Sequence, residues 1–305
     1  MKKILSAASA AFLILTAMMS MCARASESEK TGFIYTIIDN EATVTGFQGE
    51  PVYIDIPETV EGCRVTEIRD NAFYECGSLK QVTLPGTIEK IGHHGFYGCY
   101  SLESIVIPDS VTEIGMGSFS GCTALTYAAL PESIVSLPES CFRSCTSLKN
   151  IIIPDTVEKI GDFCFSSCTS ITSVSLGGAV AELGDCAFYM CTSLKSLYIP
   201  PSVKDLGFCS VGYIPTNDGA VPDEEFTLVG TKNSAAQDYA DENAVSFEKA
   251  EDSVHAFAIQ RINGQRIGIP SIFIMAAFAA PVFALLVIAR KNIARKKHRK
   301  KMTKF

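Results

Sequence analysis

Between Ile68 and Asp205 the apolar positions return with a period of 23 residues. Each period holds a short run in which β-branched or other apolar residues alternate, such as Gln81-Val82-Thr83-Leu84, Ser104-Ile105-Val106-Ile107 and Asn150-Ile151-Ile152-Ile153. That alternation reads as a half-buried strand. Pro85, Pro108, Pro131, Pro154 and Pro200 end the runs, because proline has no N–H to donate to a ladder. Gly177 takes the slot in the fifth period. A second apolar pair, Val111 with Ile114 or Val157 with Ile160, starts another side of the unit. Between them stand a phenylalanine and, three residues later, a cysteine: Phe73 and Cys76, Phe96 and Cys99, Phe119 and Cys122, Phe142 and Cys145, Phe165 and Cys168, Phe188 and Cys191. The three-residue spacing predicts a short helical turn with both side chains on one side. A period of this length predicts a solenoid, in which no unit buries its apolar face alone. The coils are 68–90, 91–113, 114–136, 137–159, 160–182 and 183–205. Their parallel strands should lie about 4.8 Å apart.

The flanks depart from the period. Phe33, Tyr35 and Ile37 alternate, Asp39-Asn40-Glu41 offers a turn, and Thr43 to Thr45 continues, which is a hairpin pattern. With the alternating Val52, Ile54 and Ile56 it forms the expected N-terminal cap, 26–67, for a core that is open at its ends. A five-residue insertion containing Cys63 stretches the interval to the first regular coil. From Leu206 the pattern decays: Val211 stands in the Phe column, and Tyr213 to Glu225 is rich in Pro, Gly and Asp and reads as a loop. Phe226 to Val229 reads as a last strand, and Ser234 as the N-cap of a helix carrying Ala235, Tyr239 and Ala240 on one face. Val245 to Phe247 closes a C-terminal cap over 206–249.

Two segments address the membrane. Lys2 and Lys3, the apolar Ile4 to Met21 and Ala23-Arg24-Ala25 have the layout of an export signal over 1–25. Cys22 would suit a lipid anchor, but Met21 occupies the place of the small residue expected before it. After a linker at 250–266, Ile267 to Ala289 is 23 residues without a charge, enough for a helix to cross a hydrocarbon layer of about 30 Å. Charge then sets the orientation. Residues 290–305 hold nine Lys/Arg and no acid, whereas 26–266 hold all 33 acids and 14 Lys/Arg, or 14 − 33 = −19. The basic tail belongs in the cytoplasm and the acidic part outside the cell membrane, which is crossed once. The acidic part also argues against nucleic acid as a partner.

These residues resemble the BspA-type leucine-rich repeat family of surface proteins. Ala72-Phe73-Tyr-Glu-Cys76-Gly-Ser78-Leu79-Lys-Gln-Val82-Thr-Leu84-Pro85 matches its unit, and five more copies follow. The resemblance covers about Gly32 to Lys249 and implies a leucine-rich-repeat-like stack of strand-plus-turn coils with capping units. It also implies a role in binding or adhesion at a bacterial cell surface.

Candidate chemistry is scarce. Twelve cysteines in an exported chain permit disulfides. Equivalent ladder cysteines would approach within the Cα range of a disulfide, but parallel Cβ vectors keep them too far apart to bridge. The ladder therefore reads as packing, with the thiols as small hydrophobes. Cys141 and Cys164 share the small-residue slot of Ala72 and Ala187; Cys186 and Cys209 share another column, where one link is conceivable. His93-His94 reads as solvated surface, and Asp109 and Asp155 as turn residues after proline. Nothing in the spacing makes a case for a nucleophile, a phosphate loop, a metal or a cofactor, and so for an enzyme. Function should reside on the strand face, whose outward columns vary. Val106, Tyr127, Ile152 and Tyr198 would give that face a partly apolar, aromatic character suited to an extracellular protein or glycan. A structural or envelope-assembly spacer is the other reading.

Overall fold

The structure, a computed structural model, describes residues 24–27, 32–217 and 219–250. The expected spanning segment 267–289, the basic tail and residues 1–23 lie outside the described residues. Among the described residues no helix is long and apolar enough to cross a membrane.

The coils stack as two parallel ladders of short strands. Three-residue strands form the longer ladder: Tyr53–Asp55 pairs with Gln81–Thr83, which pairs with Ser104–Val106, which pairs with Tyr127–Ala129. Further along, Asn150–Ile152 pairs with Ser173–Ser175, and Ser196–Tyr198 with Thr227–Gly230 and then Ser246–Lys249. Two-residue strands at Lys90–Ile91, Glu113–Ile114, Ser136–Leu137, Lys159–Ile160, Glu182–Leu183 and Asp205–Leu206 make the second ladder.

The third side of each coil is not helical, contrary to the expectation from the Phe–Cys spacing. It is a run of tight turns with a left-handed residue at two fixed places. Asn71, His94, Gly117, Ser140, Phe163, Cys186 and Cys209 form one such column, with φ between 51° and 61°. Glu75, Gly98, Gly121, Ser144, Ser167 and Met190 form the other, with φ between 55° and 76°. A left-handed residue every four positions stops a helix before its first turn can propagate. It also re-aims alternate N–H groups along the stack. Asn71, Phe73 and Glu75 donate to the carbonyls of His93, Gly95 and Tyr97 in the next coil, at 2.9, 2.8 and 2.6 Å. Intervening groups stay within the turn, as where Cys76 N–H reaches the Phe73 carbonyl at 3.2 Å. The turn side is thus a third intercoil ladder.

Coils approach closely at the corner that precedes the turns. A Cβ at Gly115 would sit 2.4 Å from the backbone nitrogen of His93, so this corner has no room for a side chain. The preceding coil contributes a side chain as well. Asp70, Asp162 and Asp185 each accept the backbone N–H of the residue 23 positions on, at 2.7, 2.8 and 2.7 Å. His93 does the same job through Nδ1, accepting Met116 N–H at 2.9 Å. It therefore has a structural role that the reading as solvated surface overlooks.

Insertions are absorbed as hairpins. Tyr53 pairs with Gln81, a step of 81 − 53 = 28; the surplus folds into Thr59–Val60 against Cys63–Arg64, turning at Glu61 and Gly62 with φ of 52° and 82°. Such a turn matches strand twist. At the other end Ser196 pairs with Thr227, a step of 227 − 196 = 31. There Tyr213–Thr216 pairs antiparallel with Gly219–Pro222, where the composition reads as a loop. Both prolines sit on a two-stranded ribbon, which leaves each an outer edge without a ladder partner.

Both ends of the core are closed. Phe33–Ile38 and Glu41–Phe47 form a hairpin through Asp39 and Asn40, and the second strand runs parallel to Cys63–Ile68. Arg24–Glu27 adds an antiparallel strand beside the first, across the expected cleavage point after Ala25. At the far end the helix Ala235–Asn243 buries Ala236, Tyr239 and Ala240. Ser234 precedes it but makes no side-chain cap; its hydroxyl instead donates to the Thr231 carbonyl at 2.7 Å. The Phe column ends at Val211, whose N–H donates to Tyr239 Oη at 3.3 Å and whose carbonyl accepts from it at 3.2 Å.

Candidate binding surface

The ladder residues are the interior of the stack. Phe73, Phe96, Phe119, Phe142 and Phe165 are wholly buried and Phe188 nearly so. Successive rings stack with centroids 5.0 to 5.5 Å apart and planes within 1 to 10° of parallel. Offset stacking at this separation adds to the burial of the rings themselves. The thiols make one bond each: Cys99, Cys122, Cys145, Cys168 and Cys191 donate to the carbonyls of Phe73, Phe96, Phe119, Phe142 and Phe165 at 3.2 to 3.3 Å. Each carbonyl also accepts the N–H of the cysteine in its own turn. The ladder therefore pins coil to coil by a ring and a thiol together. Cys76, in the first coil, is half-buried.

Burial strips these thiols of reactivity. It pushes Cys122 and Cys168 up to about 12. It raises Cys99, Cys141, Cys145, Cys164 and Cys191 strongly as well. A thiol held neutral is neither a nucleophile nor a metal ligand. Cys186 and Cys209 lie against each other as free thiols; burial first, and then the charge of its neighbour, pushes Cys209 up to about 11. Asp109 and Asp155 accept the backbone N–H of Glu132 and Gly178 at 3.0 and 2.9 Å, which explains an aspartate after the strand-ending proline. Among the described residues no group of three or more His, Cys, Asp or Glu is placed to hold a metal ion.

The outward positions of the longer ladder are the opposite case. Val106, Tyr127 and Ile152 stand on three consecutive strands, Ser104–Val106, Tyr127–Ala129 and Asn150–Ile152. At about 4.8 Å per strand they make one patch roughly 10 Å long. Ile152 is 70% exposed, an unusual burden for an isoleucine, while Val106 and Tyr127 are half-buried. Tyr198 is two strands further on, beyond Ser173 and Ser175, so the fold does not bring all four residues into one cluster. The sequence reading missed Tyr53, 71% exposed in the outward column two strands before Ser104. The alternation of Val52, Ile54 and Ile56 carried that signal, since burying Ile54 turns Tyr53 outward.

The turn side also shows aromatic residues to water. Tyr74, Tyr100 and Phe208 are exposed there, and Tyr74 stacks on Tyr97 at 4.9 Å. Arg143 lies 5.4 Å over the Phe163 ring, a cation–π contact.

Comparison with known proteins agrees with this architecture. Residues 66–195 match the model of the BspA type leucine rich repeat region, in 6 copies. Among solved structures, the T. pallidum leucine rich repeat protein is 29% identical with a TM-score of 0.54, over 60% of this chain and 86% of that one. A leucine rich cell surface protein from Faecalibacterium prausnitzii A2-165 is 26% identical with a TM-score of 0.55, over 66% of this chain and 61% of that one. No curated protein matches the chain. The stacked coils of residues 66–195, with their buried Phe–Cys column and strand-plus-turn units, are leucine-rich repeats of the BspA type.

Proposed function

We propose that this chain is a membrane-anchored cell-surface protein whose strand face binds an extracellular protein or glycan. The observation that carries the reading is the contiguous patch of Val106, Tyr127 and Ile152, with Ile152 70% exposed on a ladder whose backbone is already satisfied. Nothing in the packing asks for an isoleucine at that place. Apolar and aromatic side chains on a rigid sheet, flanked by the polar Ser104, Asn150 and Ser173, have the layout of an interface core with a polar rim. The likeness to a cell-surface protein of the same fold supports the location. The uncharged segment 267–289 would be the anchor, with the ectodomain outside and the basic tail within.

Two experiments test the reading. Capture of partners from host matrix and neighbouring-cell extracts should fall with the Tyr127→Ala, Tyr198→Ala double variant at unchanged melting temperature. Protease treatment of intact cells should degrade the ectodomain; a protected ectodomain contradicts the outside placement. A spacer within the envelope is the second reading, favoured by the unbroken intercoil ladders. It predicts that capture does not depend on these side chains.

A further inference from the structure

The third coil differs from its neighbours on the turn side. It carries Gly117, Ser120 and Gly121 where the second carries His94, Tyr97 and Gly98 and the fourth carries Ser140, Arg143 and Ser144. The missing bulk leaves an open notch of about 420 Å³, within the range of small-molecule sites. One wall is aromatic: Tyr97 is held between Tyr74, stacked at 4.9 Å, and His94, edge-on at 5.6 Å. The opposite wall is Arg143, steadied over the Phe163 ring at 5.4 Å and without an ion pair among the described residues. The floor is Ser120, only 7% exposed.

The donors on offer decide what fits. The backbone N–H groups of the lining are spent on the next coil: Gly117 on the Glu139 carbonyl at 3.0 Å, Gly121 on Arg143 at 2.8 Å and Ser144 on Ser166 at 2.8 Å. The notch therefore lacks the cluster of free N–H groups that cradles a phosphate. It offers one planar guanidinium, which forks onto a planar carboxylate, together with hydroxyls and an aromatic wall. We infer that the notch formed by Tyr97, Ser120 and Arg143 is a binding site for a sugar residue bearing a carboxylate, of the uronic- or sialic-acid kind. Arg143 takes the carboxylate, Ser120 and Ser144 bond ring hydroxyls, and the Tyr97 side covers the C–H face. The site is independent of the strand face, and either can fail without the other.

The test is calorimetry on the purified full-length chain with trisaccharides ending in N-acetylneuraminic or glucuronic acid, against the same sugars with the carboxyl reduced to an alcohol. Sodium phosphate serves as competitor. Binding of the acidic sugars should weaken about tenfold or more on carboxyl reduction and likewise in Arg143→Ala, an exposed position that leaves the fold alone. Ser120→Tyr should abolish it by filling the notch, with the residue that the same column already carries at Tyr97 and Tyr189. If that variant melts early, Arg143→Ala decides alone. Equal binding of the reduced sugars, unchanged affinity in Arg143→Ala, no binding of either acid, or displacement of the sugar by equimolar phosphate would each overturn the assignment.

Discussion

The Phe–Cys ladder and the strand face repeat with the same period, yet one is uniform and the other varied. Each inner rung of the ladder, from Phe96 and Cys99 to Phe165 and Cys168, sees the same neighbours, a ring above and below and a carbonyl 3.2 to 3.3 Å from the thiol. On the strand face the outward side chains range from half-buried to exposed, and the hydrogen bonds that hold the ladder belong to the backbone. Packing dictates the first and leaves the second open. The residues most conspicuous in the sequence therefore specify the fold, and the inconspicuous ones between them are available for recognition.

The largest expected effect strikes the ladder alone. Its thiols are raised in the folded chain, and an ordinary thiol ionises at about 8.5. A group raised on folding contributes stability that is complete below its unfolded value and is lost as the pH climbs toward the folded one. Each fully buried thiol, such as Cys122 or Cys168 at about 12, should thus cost about 1.4 kcal/mol per pH unit above about 8.5. With several acting together, alkaline denaturation followed by circular dichroism should set in near pH 10. A chain that keeps its full denaturant midpoint at pH 10.5 would refute the buried-thiol account. Next in size is Phe142→Ala, which should lower the unfolding free energy by about 3–5 kcal/mol. Ile152→Ala, on the strand face, should change it by no more than about 0.5 kcal/mol. Urea titration of the two variants side by side measures the contrast.

A smaller contrast has opposite signs. Glu75 is left-handed at φ 55°, so Glu75→Gly should relieve strain and stabilise by about 0.5–1 kcal/mol. Thr83→Gly, in the strand Gln81–Thr83, should destabilise by a similar amount because extended backbone favours a β-branched residue. Two losses of like size would mean that the turn positions carry no strain.

The stack and its ladder were legible because burial at a fixed period admits few residue types. The left-handed columns were not. Asn71, His94, Ser140, Phe163 and Cys186 share one backbone geometry imposed by the neighbouring coils, with no common side-chain chemistry to announce it. The three-residue Phe–Cys spacing suits an i to i+3 turn as well as it suits a helix, which is why it suggested the wrong element. His93 escaped for a related reason: it stands in an aspartate column and accepts the same N–H with a different atom. The notch was written in the third coil as Gly117-Ser118-Phe119-Ser120-Gly121, but small residues acquire meaning only beside Tyr97 and Arg143. Of the four strand-face residues, the sequence set Val106 and Ile152 in one outward column and Tyr127 in the other, on three consecutive strands. It had no means of seeing that Tyr198 stands apart.

The most direct test of the central claim sets the two exposed aromatic surfaces against each other. Capture of extracellular partners by the full-length chain is compared between Tyr127→Ala, Tyr198→Ala and the turn-side control Tyr100→Ala, Phe208→Ala, whose residues are exposed and do not line the notch, with melting temperatures recorded for both. The account predicts about a tenfold loss for the strand-face pair, near-unchanged capture for the control, and melting within a few degrees of the parent for each. Undiminished capture by the strand-face pair, with loss in the turn-side pair, would contradict it.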